Sequence, residues 1–420
     1  MGMTIIEKIL SRAGDGETVR PGDLVTVKVD VACLFDNNFM ESVWRPVLHV
    51  RDPSKVVVVI DHRAPAAHVA SAHAHATARK FVADFGIEQF HDIGYDQGIC
   101  HVLMAEHGYA RPGTVLLCSD SHTCSAGALN CAARGVGTPD MLYAVTKGET
   151  WFRVGETIRY ELIGQLPDNA FMKDVFLQIA GEHGSHVTQN VEFGGSALST
   201  LGIDARRTMA TMGAELSAEF ATFEPDDALV DYVSARTKLP FEPQLPDADA
   251  RYLERREINL SAIEPLVALP DSVVNNSATV SDVAGTQLDQ CFVGSCANGT
   301  FDDLASVARV LSGHRVARGT RFIITPGSQS IYRRALKAGI IETLMDAGAL
   351  VTNATCGACG GGHMGVVGAN ENILTSSTRN FKGRMGDPSA KIYMGSSATV
   401  AASAIEGAIA DPTPYLNRGA

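Results

Sequence analysis

The stretch "ALVTNATCGACGGGH", Ala349 to His363, runs from an apolar, β-branched segment straight into a glycine loop that carries Cys356, Cys359 and His363. The same order recurs in "KVVVVI" ahead of "DHRAPA", "TVLLC" ahead of "SDSHT", "QCFVG" ahead of "SCANG" and "RFIIT" ahead of "PGSQS". Apolar runs of about four to eight residues without alternation predict strands buried on both faces, as in parallel sheets. Such sheets collect ligands at the carboxyl ends of their strands. That is where every one of these polar or glycine-rich clusters falls.

Helical segments alternate with the strands. In "TFDDLASVARVLSG", Thr300 and Asp303 occupy capping-box positions, Phe301, Leu304, Val307 and Leu311 recur at helical spacing, and Gly313 supplies a stop. "AAHVASAHAHATARKFVADFG" predicts a helix ending at Gly86, and "SQSIYRRALKAG" one ending at Gly339. The alternation predicts an α/β architecture built more than once along 420 residues. No convincing internal sequence repeat accompanies it. The proline- and acid-rich stretch from Thr237 to Glu257 reads as a connection between units.

With 45% hydrophobic and 20% charged residues, the chain has the ordinary globular mixture. Its longest apolar runs fall far short of the ~20 residues of a membrane span. The start "MGMTIIEKILSRAGDGE" lacks the charged-then-apolar order of a signal peptide, so a cytoplasmic location is expected. Nine cysteines, an odd number, argue for reduced thiols over a disulfide framework. A formal net charge of −12 without a compensating basic run argues against nucleic acid as a partner. A small anionic substrate remains compatible, because one or two placed arginines suffice to bind a carboxylate.

The Cys356/Cys359 pair has several readings. Two intracellular cysteines near a strand end are often buried small hydrophobes. A redox dithiol normally opens a helix with few glycines around it. Structural zinc needs a fourth ligand, which His363 can supply, but no second C-x-x-C is present. Cys296 ends another strand, and if both strands share a sheet the three thiols converge. Three thiolates suit an iron-sulfur cubane with one iron left open, acting as a Lewis acid on a hydroxyl or carboxylate. Spacing alone leaves these alternatives open.

Two Asp-His groupings also follow strands: Asp61 with His62, and Asp120, Ser121 and His122. A carboxylate beside an imidazole orients it and holds a proton for acid-base work. One such pair is more often a turn; two at strand ends favour function. His101 alone reads as a core histidine, and His68, His73 and His75 as partly exposed helix residues. Arg379 and Arg384 bracket a glycine-bearing loop and can clamp carboxylates bidentately, although a solvated basic turn has the same appearance.

Taken in order, "DHRAPA", "GICHVLMAEHGYARPG", "SDSHTCSAGAL" with "GVGTPD", "NVEFGG", "FVGSCANG", "CGACGGGHMGV" and "STRNFKGRMGDPSAKIYMGSSATVAASAIEG" resemble the aconitase superfamily, and within it the large subunits of 3-isopropylmalate dehydratase and homoaconitase. The resemblance runs from near residue 60 to the carboxyl terminus. It implies a 4Fe-4S cluster, one per chain, held by Cys296, Cys356 and Cys359. It implies catalytic roles for Asp61, His62, His101, Asp120, His122 and Glu192, with Ser121, Arg379 and Arg384 binding substrate. Glu192 is singled out by the resemblance alone. The implied fold is three α/β/α units packed around the cluster, at 1–156, 157–280 and 281–420, with the family's swivelling domain absent.

The implied chemistry is hydro-lyase: removal of water from a small hydroxy-dicarboxylate and its re-addition. The family's base is a serine in a Gly-Ser-Ser-Arg-Glu loop on the swivelling domain. This chain has no such loop, since "GSSAT" at Gly395 lacks the Arg-Glu, so a small partner subunit is expected to supply it. Ala297, Val102, Thr378, Gly360 and Asp271 depart from the family pattern, which keeps an alkyl-malate or maleate in play as the substrate. Two other classes compete: a catalytically silent scaffold that kept the fold, and an RNA-binding regulator active without the cluster, which the acidic charge and missing fourth domain disfavour.

Overall fold

Runs such as Val56–Val59 lack alternation because both faces of their sheet are covered. Every residue of Val31–Phe35 and Val56–Val59 is buried. Ala32, Leu34, Val56 and Val58 enter one apolar cluster, while Val31, Cys33, Phe35, Val57 and Val59 enter another. Strand geometry sends successive side chains to opposite faces, and each fully buried valine contributes about 1.5–3 kcal/mol.

The computed structural model describes residues 2–416. Met1 and residues 417–420 lie outside the described residues, and with them the outer limits of the first and third expected units. The chain forms two compact units, one from 2–93, 100–164 and 186–258, the other from 94–99, 165–185 and 259–416. The first holds a five-stranded sheet in the order Gln89–His91, Val56–Val59, Val31–Phe35, Val115–Cys118, Ala132–Gly135, with parallel neighbours throughout. Numbered along the chain, its strands run 3-2-1-4-5. A four-stranded sheet, whose strands lie between Glu156 and Asn259, belongs to it as well. The Thr237 to Glu257 stretch packs on this unit: Asp249 and Asp247 accept the Gly2 and Met3 amides, and Glu242 pairs with Arg12.

The second unit holds a seven-stranded sheet. Its five parallel strands are, in spatial order, Lys391–Gly395, Asn372–Thr375, Gln290–Val293, Arg321–Ile324 and Leu350–Val351. Read from the other edge this is again 3-2-1-4-5. Leu266–Ala268 and Ser277–Thr279 extend the sheet antiparallel at one edge. The shared order has no counterpart in a sequence repeat, because it needs only an apolar run and a polar loop at each strand end.

The expected helices form at Val69–Phe85, Phe301–Leu311 and Gln329–Lys337. Thr300 and Asp303 make both halves of the capping box. The last of these helices stops at Gly339 as expected, just past its C-cap Ala338, and at φ 73° that glycine is also the N-cap of the next helix, Ile340–Asp346. No helix among the described residues is long and apolar enough to cross a membrane.

Candidate active site

A 3-2-1-4-5 sheet opens a crevice between its strands 1 and 4, where the connections leave in opposite directions. In the first unit these are Val31–Phe35 and Val115–Cys118, followed by Asp36 to Asn38 and by Ser119 to His122. Asn38 and Ser119 join the two turns by hydrogen bonds of 2.6 and 2.8 Å. Asp61 and His62 follow the neighbouring strand. Asp120 is the hub: its Oδ1 lies 2.8 Å from His101 Nε2 and accepts the His122 amide at 2.8 Å, and its Oδ2 lies 3.6 Å from His62 Nε2. His62 Nδ1 lies 2.7 Å from Asp61 Oδ1, whose other oxygen accepts the Cys100 amide.

Burial alone would raise the Asp120 carboxyl, but the bonds from His101, His122 and His62 hold it well below the usual range. For His122, burial opposes the charged form, yet Asp120 and Glu215 together keep it above the ordinary histidine value. Asp61 goes the other way, raised by complete burial that His62 only partly offsets. Sequence reasoning missed two members. Glu215 Oε1 sits 2.9 Å from His122 Nε2, and Asp36 accepts the His62 and Arg63 amides. Glu215 lies in a short turn after a helix, with no strand ahead of it, and no local signal marks it. His75 is buried beside Asp36, not partly exposed as expected from helix position; His68 and His73 are exposed.

Glu192 sits apart from this hub. It ends no strand but lies inside Gln189–Gly194, 0% exposed. Arg159 Nη1 and the Ile5 amide reach it at 2.9 Å, and the Tyr252 hydroxyl donates to it. Arg159 also pairs with Glu161 and Glu224. The geometry is that of a buried ion-pair network around one guanidinium.

In the second unit, the strands flanking the crevice are Gln290–Val293 and Asn372–Thr375. Cys296 follows the first, and Thr378, Arg379 and Arg384 follow the second. Ser295, just before Cys296, is held at φ 82°, in the left-handed region that ordinary side chains avoid. The Cys356 loop crosses the same ground. A Cβ on Gly294 would lie 2.9 Å from the Phe292 ring, and one on Gly357 would lie 2.8 Å from Thr325 Oγ1 and 3.1 Å from the same ring. Cys296, Cys356 and Cys359 are all buried. Arg384 Nη2 approaches Cys359 Sγ at 3.9 Å, and Thr378 Oγ1 lies 3.6 Å from that sulfur. Buried thiols with a cation and hydroxyl donors around them suit a group bound through thiolates. Asn298 Nδ2 donates to Asp303, which also accepts from Ser397, so the turn after Cys296 is fixed from behind. The fully buried Lys173 holds the Ser377 carbonyl at 3.1 Å, bracing the arginine loop.

Ser121 is exposed at the mouth of the first-unit crevice, and Arg379 and Arg384 are half-buried. A separate set of thiols, Cys33, Cys100 and Cys118, has sulfurs within 4.8 Å of one another. They fill the apolar core beneath the Asp120 hub, with Cys33 and Cys118 paired across adjacent strands.

The family model of the aconitase family (aconitate hydratase) matches residues 42–284 and 273–407. The chain belongs to the aconitase family. It is 50% identical over 411 residues to a 3-isopropylmalate dehydratase large subunit from Mycolicibacterium smegmatis, covering 98% of this chain and 97% of the relative. To the 3-isopropylmalate dehydratase large subunit 1 of Methanopyrus kandleri it is 42% identical, over 99% and 100% of the two chains. A relative in Methanothermobacter thermautotrophicus, named "Probable methanogen homoaconitase large subunit", is 39% identical with 99% of each chain covered.

Proposed function

We propose that this chain is the large subunit of a two-chain hydro-lyase that dehydrates and rehydrates a small hydroxy-dicarboxylate, of the 3-isopropylmalate dehydratase type. The observation that carries the proposal is the Asp120 hub, three histidines around one ionised carboxylate, in a chain half identical to a dehydratase subunit over nearly its whole length. Cys296, Cys356 and Cys359 would hold a 4Fe-4S cluster, which when bound supplies a Lewis-acidic iron for the substrate hydroxyl.

The chain's own residues supply binding and protons. Asp120 stays ionised and keeps the imidazoles of His62, His101 and His122 oriented. His122, whose charged form is favoured by two carboxylates, is the proton store, and His101 or His62 delivers the proton as the C–O bond breaks and water leaves. Arg379 and Arg384 bind the substrate carboxylates through paired N–H donors. Ser121, exposed beside the hub, adds a hydroxyl contact. The proton on the neighbouring carbon goes to a serine that a small partner subunit provides on a swivelling domain. Glu215 joins His122 in this scheme, while Glu192 serves the fold.

The same proposal places the enzyme in the cytoplasm and divides the chain into three sheet-based units. Pairing of Leu266–Ala268 and Ser277–Thr279 with the seven-stranded sheet favours a second boundary before residue 266 over one at 280. A second substrate reading, an alkyl-malate or maleate, is favoured by Thr378, which stands 3.6 Å from Cys359 Sγ where the family has asparagine.

The test is turnover of 3-isopropylmalate, alkyl-malates and maleate by the chain alone and by the chain co-expressed with a small subunit. Turnover that requires both chains is expected. Full turnover by this chain alone overturns the partner, and none from the pair on any of these substrates overturns the hydro-lyase.

A further inference from the structure

The opposite end of the five-stranded sheet, where its strands begin, holds a cavity of about 830 Å³. Arg12, Lys28, Lys55, Arg111, Phe241 and Glu242 are among its walls. Three of the four cations have ordinary partners: Arg12 pairs with Glu242, Lys28 with Asp15, and Lys55 donates to the Val29 carbonyl. Arg111 differs. It is 9% exposed, its Nη1 reaches only the Tyr109 carbonyl at 3.4 Å, and its Nε has no hydrogen-bond partner. Among the described residues no carboxylate pairs with it. Asp30, which also lines the cavity, is engaged with the Val115 amide.

A buried guanidinium that no carboxylate touches is costly unless something neutralises it. In a protein of net charge −12 this cavity carries four cations against Asp30, Glu242 and the Asp15 that pairs with Lys28, a local excess of one positive charge that favours an anion. The remaining wall is apolar: Val31, Val57, Leu239, Pro240 and Phe241. The wall segment 239–242 is also fixed in place. Gln244 and Asn130 exchange bonds of 2.7 and 3.0 Å, and the segment lies so close to Gly113, at φ 75°, that a Cβ there would fall 2.3 Å from the Glu242 carbonyl.

We propose that this cavity is a binding site for a small organic carboxylate with an apolar body, its carboxylate on Arg111 and its body against Phe241 and Val57. Arg fits such a group because its N–H fork matches two carboxylate oxygens. The site is distinct from the Asp120 hub and stands whether or not the hydro-lyase proposal does.

The test is calorimetric titration of the full chain, with its partner subunit if that is needed for solubility, in chloride-free buffer. The probes are 4-methylpentanoate, succinate and inorganic phosphate. Saturable binding of 4-methylpentanoate is expected, weakened about tenfold or more by Arg111→Gln and unchanged by Arg379→Gln. If Arg111→Gln does not fold, Phe241→Ala at a half-exposed position carries the test, with affinity for 4-methylpentanoate falling and affinity for phosphate unchanged. Tighter binding of phosphate or succinate than of 4-methylpentanoate overturns the apolar-body assignment. No saturable binding, or equal affinity in Arg111→Gln, overturns the site.

Discussion

Asp120 meets the His101 ring, accepts the His122 amide and lies 3.6 Å from the His62 ring, so what it does depends largely on residues far from it in sequence. Two glutamates show how position decides role. Glu215 meets His122 from 93 residues away, while Glu192 is locked to Arg159, Tyr252 and the Ile5 amide. Glu192→Ala should destabilise the fold by about 3–5 kcal/mol, as breaking a buried pair does, whereas Glu215→Gln should lower kcat and shift the pH profile with a smaller loss of stability than Glu192→Ala. Swapped effects would return Glu192 to the chemistry. His122 supports a second prediction. A histidine raised above its usual 6.5 stabilises the fold fully below that value, and the contribution is lost as pH rises through the folded pKa. The stability gap between the wild type and His122→Gln should therefore be widest below pH 6.5 and shrink on the alkaline side; a gap that widens with pH would contradict the assignment. At this scale the sequence was legible where chemistry is local. Asp61-His62 and Asp120-Ser-His122 announce themselves by adjacency, whereas Glu215 and Asp36 act through contacts across elements and leave no local mark.

Elements were legible to the extent that one residue decides each. Thr300 with Asp303 and the valine run Val56–Val59 gave their helix and strand, because capping and two-sided burial are local requirements. Leu350–Val351 is only two residues long, since the chain turns early into the cysteine loop. That loop is tightly constrained at one residue. Gly357 has φ 56° and no room for a Cβ between Thr325 and Phe292. Gly357→Ala should cost about 1–3 kcal/mol through strain and overpacking and should lower iron retention without touching the Asp120 hub. Unchanged stability together with unchanged iron content would show that the loop relaxes freely.

At the scale of the whole chain, two sheets of one strand order each bring a chemically different set to the same topological position. One presents imidazoles and carboxylates, the other thiols and arginines. The α/β class and the membership in the aconitase family were both open to a reader of the sequence, because buried apolar runs and family motifs in family order are local patterns. The common sheet order was not, since it leaves no repeat. The metal group is proposed to sit on Cys296, Cys356 and Cys359, and not on the equally buried Cys33, Cys100 and Cys118. The measurement that tests it is iron and sulfide per chain after anaerobic purification, in the wild type, Cys356→Ser and Cys33→Ala. About four irons per chain are expected in the wild type and Cys33→Ala, and their loss in Cys356→Ser. Iron kept in Cys356→Ser and lost in Cys33→Ala, or a folded wild-type chain holding zinc or no metal, would contradict it.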